Sequence, residues 1–138
     1  PEMVNEFILP YQTELASRFG LNYYGCCEGL DRRWDYVKAA IPRLRRVSVS
    51  PWADRRKMSE LLGGDYVYCL KVSPTDIAVP NPDEAYIRKH LNEVLGYCKQ
   101  CGNRVEILMK DNHTLGRRPE NAARWVQLAR EEVARVYG

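Results

Sequence analysis

The sequence predicts an α/β domain in which strands alternate with helices around a parallel sheet. Three observations predict it. The apolar pattern switches repeatedly between a helical period and short β-rich runs. The switches recur every 20 to 40 residues or so, about the span of a strand–helix unit with a right-handed crossover. Glycine and proline punctuate the joints, at Gly20, Pro42, Pro51, Gly63-Gly64, Gly102 and Pro119.

Taken in order, residues 5–19 read as a helix stopped by Gly20, with Pro10 near its first turn or at a kink. The aromatic run 21–27 is the first strand. Leu30, Trp34, Val37 and Ile41 then share one helical face, with Arg32, Arg33 and Lys38 outside. Val47 to Ser50 is the second strand, ended by Pro51. Asp54 caps a helix that turns Met58, Leu61 and Leu62 inward. Tyr66 to Val72 is the third strand. The stretch 73–82 holds three prolines and no period, which marks the longest loop and a place for function. Asp83 opens a helix whose face carries Ile87, Leu91, Val94, Leu95 and Cys98, and Val105 to Lys110 makes the fourth strand. After a loop over 111–118, Pro119 starts the last helix, with Ala122, Val126, Ala129, Val133 and Val136 expected inside.

At 138 residues, 45% of them hydrophobic, the chain is long enough for one core, so a single domain over 1–138 is expected. A net charge of +3, dispersed along the chain, does not make a nucleic-acid footprint. No apolar run approaches the roughly 18 residues of a membrane span, and no leader is recognisable. A cytoplasmic protein with no membrane partner is the expectation. The chain begins at Pro1 rather than at a start methionine, so we expect a piece of a longer polypeptide. Five cysteines form an odd set without the density of a secreted scaffold, which favours reduced thiols.

Two architectures suit this order: a doubly wound sheet, or half of a (β/α)8 barrel, which needs about 250 residues when whole. No loop after a strand has the glycine-rich fingerprint of the former. Polar residues cluster after every strand, as the latter requires. In either fold the strand ends bring together Cys26-Cys27-Glu28, Ser50-Pro51-Trp52, Ser73-Pro74-Thr75-Asp76 and Asp111-Asn112-His113. Thiols, carboxylates and an imidazole on one rim match the ligands of zinc, with Cys26, Cys27 and His113 as donors. Each has a plainer reading too: a small core thiol, a loop-capping histidine, a solvated Glu28. Cys98 and Cys101 have redox spacing but sit at a helix end, where the negative terminus raises a thiol's pKa, so packing is expected of them. Cys69 reads as core. Arg43, Arg45 and Arg46 are assigned to the opposite rim. Arg55, Arg56, Lys57, Arg117 and Arg118 stand at helix starts, where guanidinium forks hold carboxylates or phosphates or are simply solvated. Trp52, Tyr23 and Tyr24 line a pocket or join the core.

The segments Tyr24-Gly25-Cys26-Cys27-Glu28, Val47-Ser48-Val49-Ser50-Pro51-Trp52-Ala53-Asp54, Gly63-Gly64-Asp65-Tyr66, Lys110-Asp111-Asn112-His113 and Pro119-Glu120-Asn121 resemble the uroporphyrinogen decarboxylase-like superfamily. The resemblance covers nearly the whole chain and implies the second half, strands five to eight, of that family's (β/α)8 TIM barrel. It implies either a cofactor-free decarboxylase acting on a tetrapyrrole or a zinc-dependent methyltransferase working between corrinoids and thiols such as coenzyme M. His113, followed by Leu115-Gly116, is similar in position to the decarboxylases' histidine. Cys26 or Cys27 matches a methyltransferase zinc ligand, although Tyr24 or Gly25 stands where the accompanying histidine would be, and Asp111 or His113 stands near the final cysteine. The expected function is methyl transfer between a corrinoid and a thiol. His113, Glu28 and Asp111 would serve the chemistry, and Trp52, Tyr24, Arg117 and Arg118 the substrate. Zinc, a corrinoid and a corrinoid protein are the implied cofactors and partner. The alternatives are a uroporphyrinogen decarboxylase-type carboxy-lyase, or a half-barrel that is inert alone and self-associates as a homo-oligomer.

Overall fold

Each β-rich run pairs with the next one along the chain. In the computed structural model, which describes residues 2–25, 27–110 and 112–138, strands β1 (Asn22–Tyr24), β2 (Leu44–Val49), β3 (Val67–Val72) and β4 (Arg104–Met109) form one sheet in that order, every neighbouring pair parallel. The helices are α1 (Glu2–Phe7), α2 (Leu9–Ala16), α3 (Trp34–Ala40), α4 (Arg55–Leu62), α5 (Glu84–Gln100) and α6 (Glu120–Tyr137), and a short 3-10 turn spans Pro74–Asp76. A sequential order has no point at which the winding reverses, so right-handed crossovers lay every connecting helix on the same face. The described strands include no such reversal, which a complete doubly wound sheet needs. The arrangement is α/β with parallel βα units and is compatible with half of a barrel.

Local chemistry explains most boundaries. Asp54 caps α4 by accepting from the Lys57 N–H at 3.0 Å, and Asp83 caps α5 by accepting from the Tyr86 N–H at 2.9 Å. Gly102 closes α5 with φ at +71°, a conformation side chains resist. Pro10 falls in the first turn of α2 and separates it from α1.

The strands alternate. Val47, Val49, Tyr68, Leu70 and Val72 join one buried cluster with Trp34, Val37, Met58, Leu91 and Leu128 of the helices. The opposite face is polar: the Tyr23 hydroxyl donates to Cys69 Sγ at 3.2 Å, Arg46 pairs with Glu106, and the Arg46 guanidinium lies 4.8 Å over the Tyr23 ring. These contacts join β1 to β3 and β2 to β4. At Gly25 an added Cβ would come within 2.1 Å of the Ser48 Cβ, so only glycine allows that approach.

Three expectations are corrected. The first strand is shorter than 21–27, with a register shift between Asn22 and Tyr23. The second begins at Leu44, so Arg45 and Arg46 lie within the sheet and not on the far rim. The inner face of α6 is Asn121, Trp125, Leu128, Ala129 and Glu132, while Val126 and Val133 are exposed. Glu132, only 2% exposed, explains the rotation: Arg88 of α5 donates to it at 3.0 Å and Arg135 closes on its other oxygen. Charge pairing, which a purely apolar period ignores, sets that helix face. Arg124 adds a two-pronged bond to Glu84 at 2.7 and 2.6 Å on the same seam.

Among the described residues, no helix is long and apolar enough to cross a membrane. Two buried asparagines fix the two ends of the sheet. Asn103 donates to the carbonyls of Ser59 and Gly63 at 3.0 and 2.7 Å, tying β4 to the end of α4. Asn121 donates to those of Ile77 and Val79 at 3.1 and 2.9 Å, tying α6 to the loop after β3. Either Asn→Ala change removes two side-chain bonds to carbonyls, of which that of Ser59 alone keeps a backbone donor among the described residues, the Gly63 N–H at 3.1 Å, and should cost about 1–3 kcal/mol, read from the midpoint of urea denaturation. No shift in that midpoint would contradict the clamp.

Candidate functional site

Because all four strands run the same way, the segments that follow them open on one rim. Two of the expected site residues, Cys26 and Asp111, lie outside the described residues. The others stand on this rim in different states. Cys27 is an exposed free thiol. Glu28 accepts from Arg33 at 2.8 Å and lines an open hollow of about 600 Å³ between α1 and the turn after β1, walled by Met3, Phe7, Gly29 and Arg32. Tyr24 donates to Gln12 at 2.9 Å. Trp52 is 79% exposed beyond β2. His113 and Arg117 are exposed, and Arg118 lies 3.5 Å from Glu120. Arg117 holds φ at +61°, in the left-handed region that residues other than glycine adopt uncommonly.

Among the described residues no three His, Cys, Asp or Glu side chains gather closely enough to hold one ion. Glu28 is committed to Arg33.

The rim between β2 and β3 holds a second polar group. Arg55, the first residue of α4, has its Nε and Nη1 buried without a hydrogen-bond partner. Burial lowers its pKa. Burial also raises the Asp76 carboxyl, with Arg55 opposing, and depresses His90, with Arg55 adding to the effect. His90 stacks on Tyr86, with rings 4° from parallel and centroids 5.9 Å apart.

Sequence reasoning named Tyr23, Ser48, Cys69 and Glu106 only in passing or not at all as a group. Their signal was available: polar residues at alternate positions of otherwise apolar strands mark a face that the helices do not cover. Burial, with the Cys69 contact, pushes the Tyr23 phenol up to about 12. Burial raises Cys69 as well and takes Cys98 to about 12, with Cys101 adding to the latter.

Two outcomes follow from this geometry. In a thiol-labelling experiment read by mass spectrometry, Cys27 should react at least about tenfold faster than Cys69 or Cys98, which should stay protected until the chain unfolds. Equal rates would contradict the burial described. The neutral form of Tyr23 is the one the fold favours, so its contribution is intact below the unfolded pKa near 10 and is lost as pH rises to about 12. Tyr23→Phe should flatten the fall in denaturation midpoint between those pH values, and an unchanged slope would refute the assignment. No family model, curated protein or solved structure matches this chain.

Proposed function

We propose that the chain forms strands five to eight of a (β/α)8 barrel of the uroporphyrinogen decarboxylase-like superfamily. Its rim would take part in moving a methyl group between a corrinoid and a thiol. The observation that carries this reading is Trp52. Its indole is 79% exposed at the end of β2, whereas Trp34 and Trp125 are 3% and 6% exposed. A bare indole among strand ends gains free energy when a flat, largely apolar partner covers it. A corrin ring is such a partner.

The barrel half is supported by the sequential parallel order and by the pairs Tyr23–Cys69 and Arg46–Glu106. Inner layers of such barrels draw side chains from alternate strands, and these pairs join β1 to β3 and β2 to β4. Arg117 and Arg118, at the start of α6, would steer the anionic end of a thiol substrate by charge-assisted bonds. Cys27 and Glu28 stand at the end of β1 on the same rim, where the substrate's sulfur would be presented. His113 would complete that mouth after β4.

Porphyrinogen decarboxylation is the second reading, favoured by Arg117, which has no ion-pair partner among the described residues. Guanidinium groups hold acetate side chains in that chemistry, and no metal enters. A half-barrel that is inert alone is the third.

Calorimetric titration separates them. Methylcobalamin should bind, and Trp52→Ala should weaken that binding about tenfold while far-ultraviolet circular dichroism stays unchanged. Binding of uroporphyrin without methylcobalamin would transfer the assignment to the decarboxylases. Binding of neither would overturn both enzymatic readings.

A further inference from the structure

Cys98 and Cys101 stand three residues apart where α5 ends, away from the rim at which the strands end. The Cys101 N–H donates to the Tyr97 carbonyl at 3.0 Å, so the helical turn runs through both cysteines. Three residues of helix, each rising about 1.5 Å on a radius of about 2.3 Å, put the two Cα atoms about 5 Å apart. A disulfide spans Cα atoms roughly 4.4–6.8 Å apart.

The two thiols differ in access. Cys98 is 0% exposed and belongs to the buried cluster, whereas Cys101 is partly exposed, with its sulfur 3.5 Å from the Ser59 hydroxyl. A reagent in solution therefore meets Cys101, and Cys98 lies behind it. The other described thiols are remote from this turn: Cys27 follows β1 on the strand-end rim, and Cys69 holds the Tyr23 hydroxyl on the polar face of the sheet.

We propose that Cys98 and Cys101 are a redox modification site, at which a low-molecular-weight disulfide such as oxidised glutathione converts the dithiol into an intramolecular disulfide. The Cys101 thiolate attacks one sulfur of oxidised glutathione, which breaks that S–S bond, forms a mixed disulfide and releases one glutathione. The Cys98 thiolate then attacks the Cys101 sulfur and releases the second. Two electrons pass from the cysteines to the glutathione pair, and the two protons the cysteines lose end on the two glutathiones. Closure needs the Cβ atoms, about 5–6 Å apart in a regular helix, to approach to about 4 Å. Cys101 is the capping residue, at φ −91° and ψ 1°, and turns without disturbing the interior of α5. Burial of Cys98 and the negative helix end both disfavour a thiolate. Holding the two sulfurs on one turn offsets the small thiolate fraction. For the same reason the bridge, once formed, has the persistence of a structural disulfide and not the reactivity of a catalytic one. The site is independent of the chemistry proposed for the rim.

Peptide mass spectrometry of the whole chain tests it, after incubation at pH 8 with excess oxidised glutathione and an acid quench. The peptide holding both cysteines should lose two hydrogens and carry no glutathione. In Cys98→Ala, glutathione should accumulate on Cys101 to at least about tenfold the level in the parent. In Cys101→Ser, Cys98 should remain a free thiol, which shows that its oxidation in the parent runs through Cys101 in the folded chain. Circular dichroism confirms that each variant is folded, and the parent and Cys101→Ser decide the matter if Cys98→Ala is not. A glutathione adduct that persists on Cys101 of the parent, a Cys98 joined to any other cysteine, or two thiols left unmodified would overturn the proposal.

Discussion

The structure depends on one constraint: four parallel strands, each hydrogen-bonded to its immediate successor in the chain. Every connection must then cross over in the same sense, which lays the helices on one face. From this follow the single buried cluster on the helix side, the separate polar face on the other, and the rim where every strand delivers its following segment. The constraint also leaves β1 and β4 as the end strands of the described sheet.

The two faces of the sheet obey different physics. On the helix side, apolar burial dominates, with Val47, Tyr68 and Leu70 all fully buried. On the other, a phenol, a thiol, a guanidinium and a carboxylate cover one another, which keeps Cys69 and Ser48 from water although no helix lies above them. Of these groups Cys69 alone is fully buried, so loss of the Tyr23 hydroxyl would remove the one donor among the described residues that reaches its sulfur. Arg55 on the rim has two buried nitrogens, Nε and Nη1, without a partner, while its Nη2 reaches the Lys71 carbonyl at 3.5 Å. Unpaired buried polar groups concentrate where a protein does chemistry or binds, so its position between the loops after β2 and β3 agrees with a working rim.

Much of the fold was legible because its signals are local. Asp54 and Asp83 announce helix starts, Gly102 an end, and the β-rich runs their strands. The face of α6 was misread because valines at helical spacing outvoted Glu132, whose burial depends on Arg88, 44 residues away. Arg46 was misplaced for a similar reason, since its partner Glu106 lies 60 residues on. The rim was legible as a place, because strand direction fixes it. The states of its residues were not: the tie between Glu28 and Arg33, the strained backbone of Arg117 and the bare indole of Trp52 arise from three-dimensional neighbours that spacing does not reveal.

The shared rim is the claim on which the functional reading rests, and a distance measures it. Spin labels introduced by Trp52→Cys and His113→Cys, with the native cysteines replaced, should be separated by roughly 15–25 Å in pulsed electron resonance, since two strand spacings amount to about 10 Å and the labels add the rest. A separation beyond about 30 Å, as when a six-residue strand intervenes and sends the two segments to opposite ends of the sheet, would contradict the account.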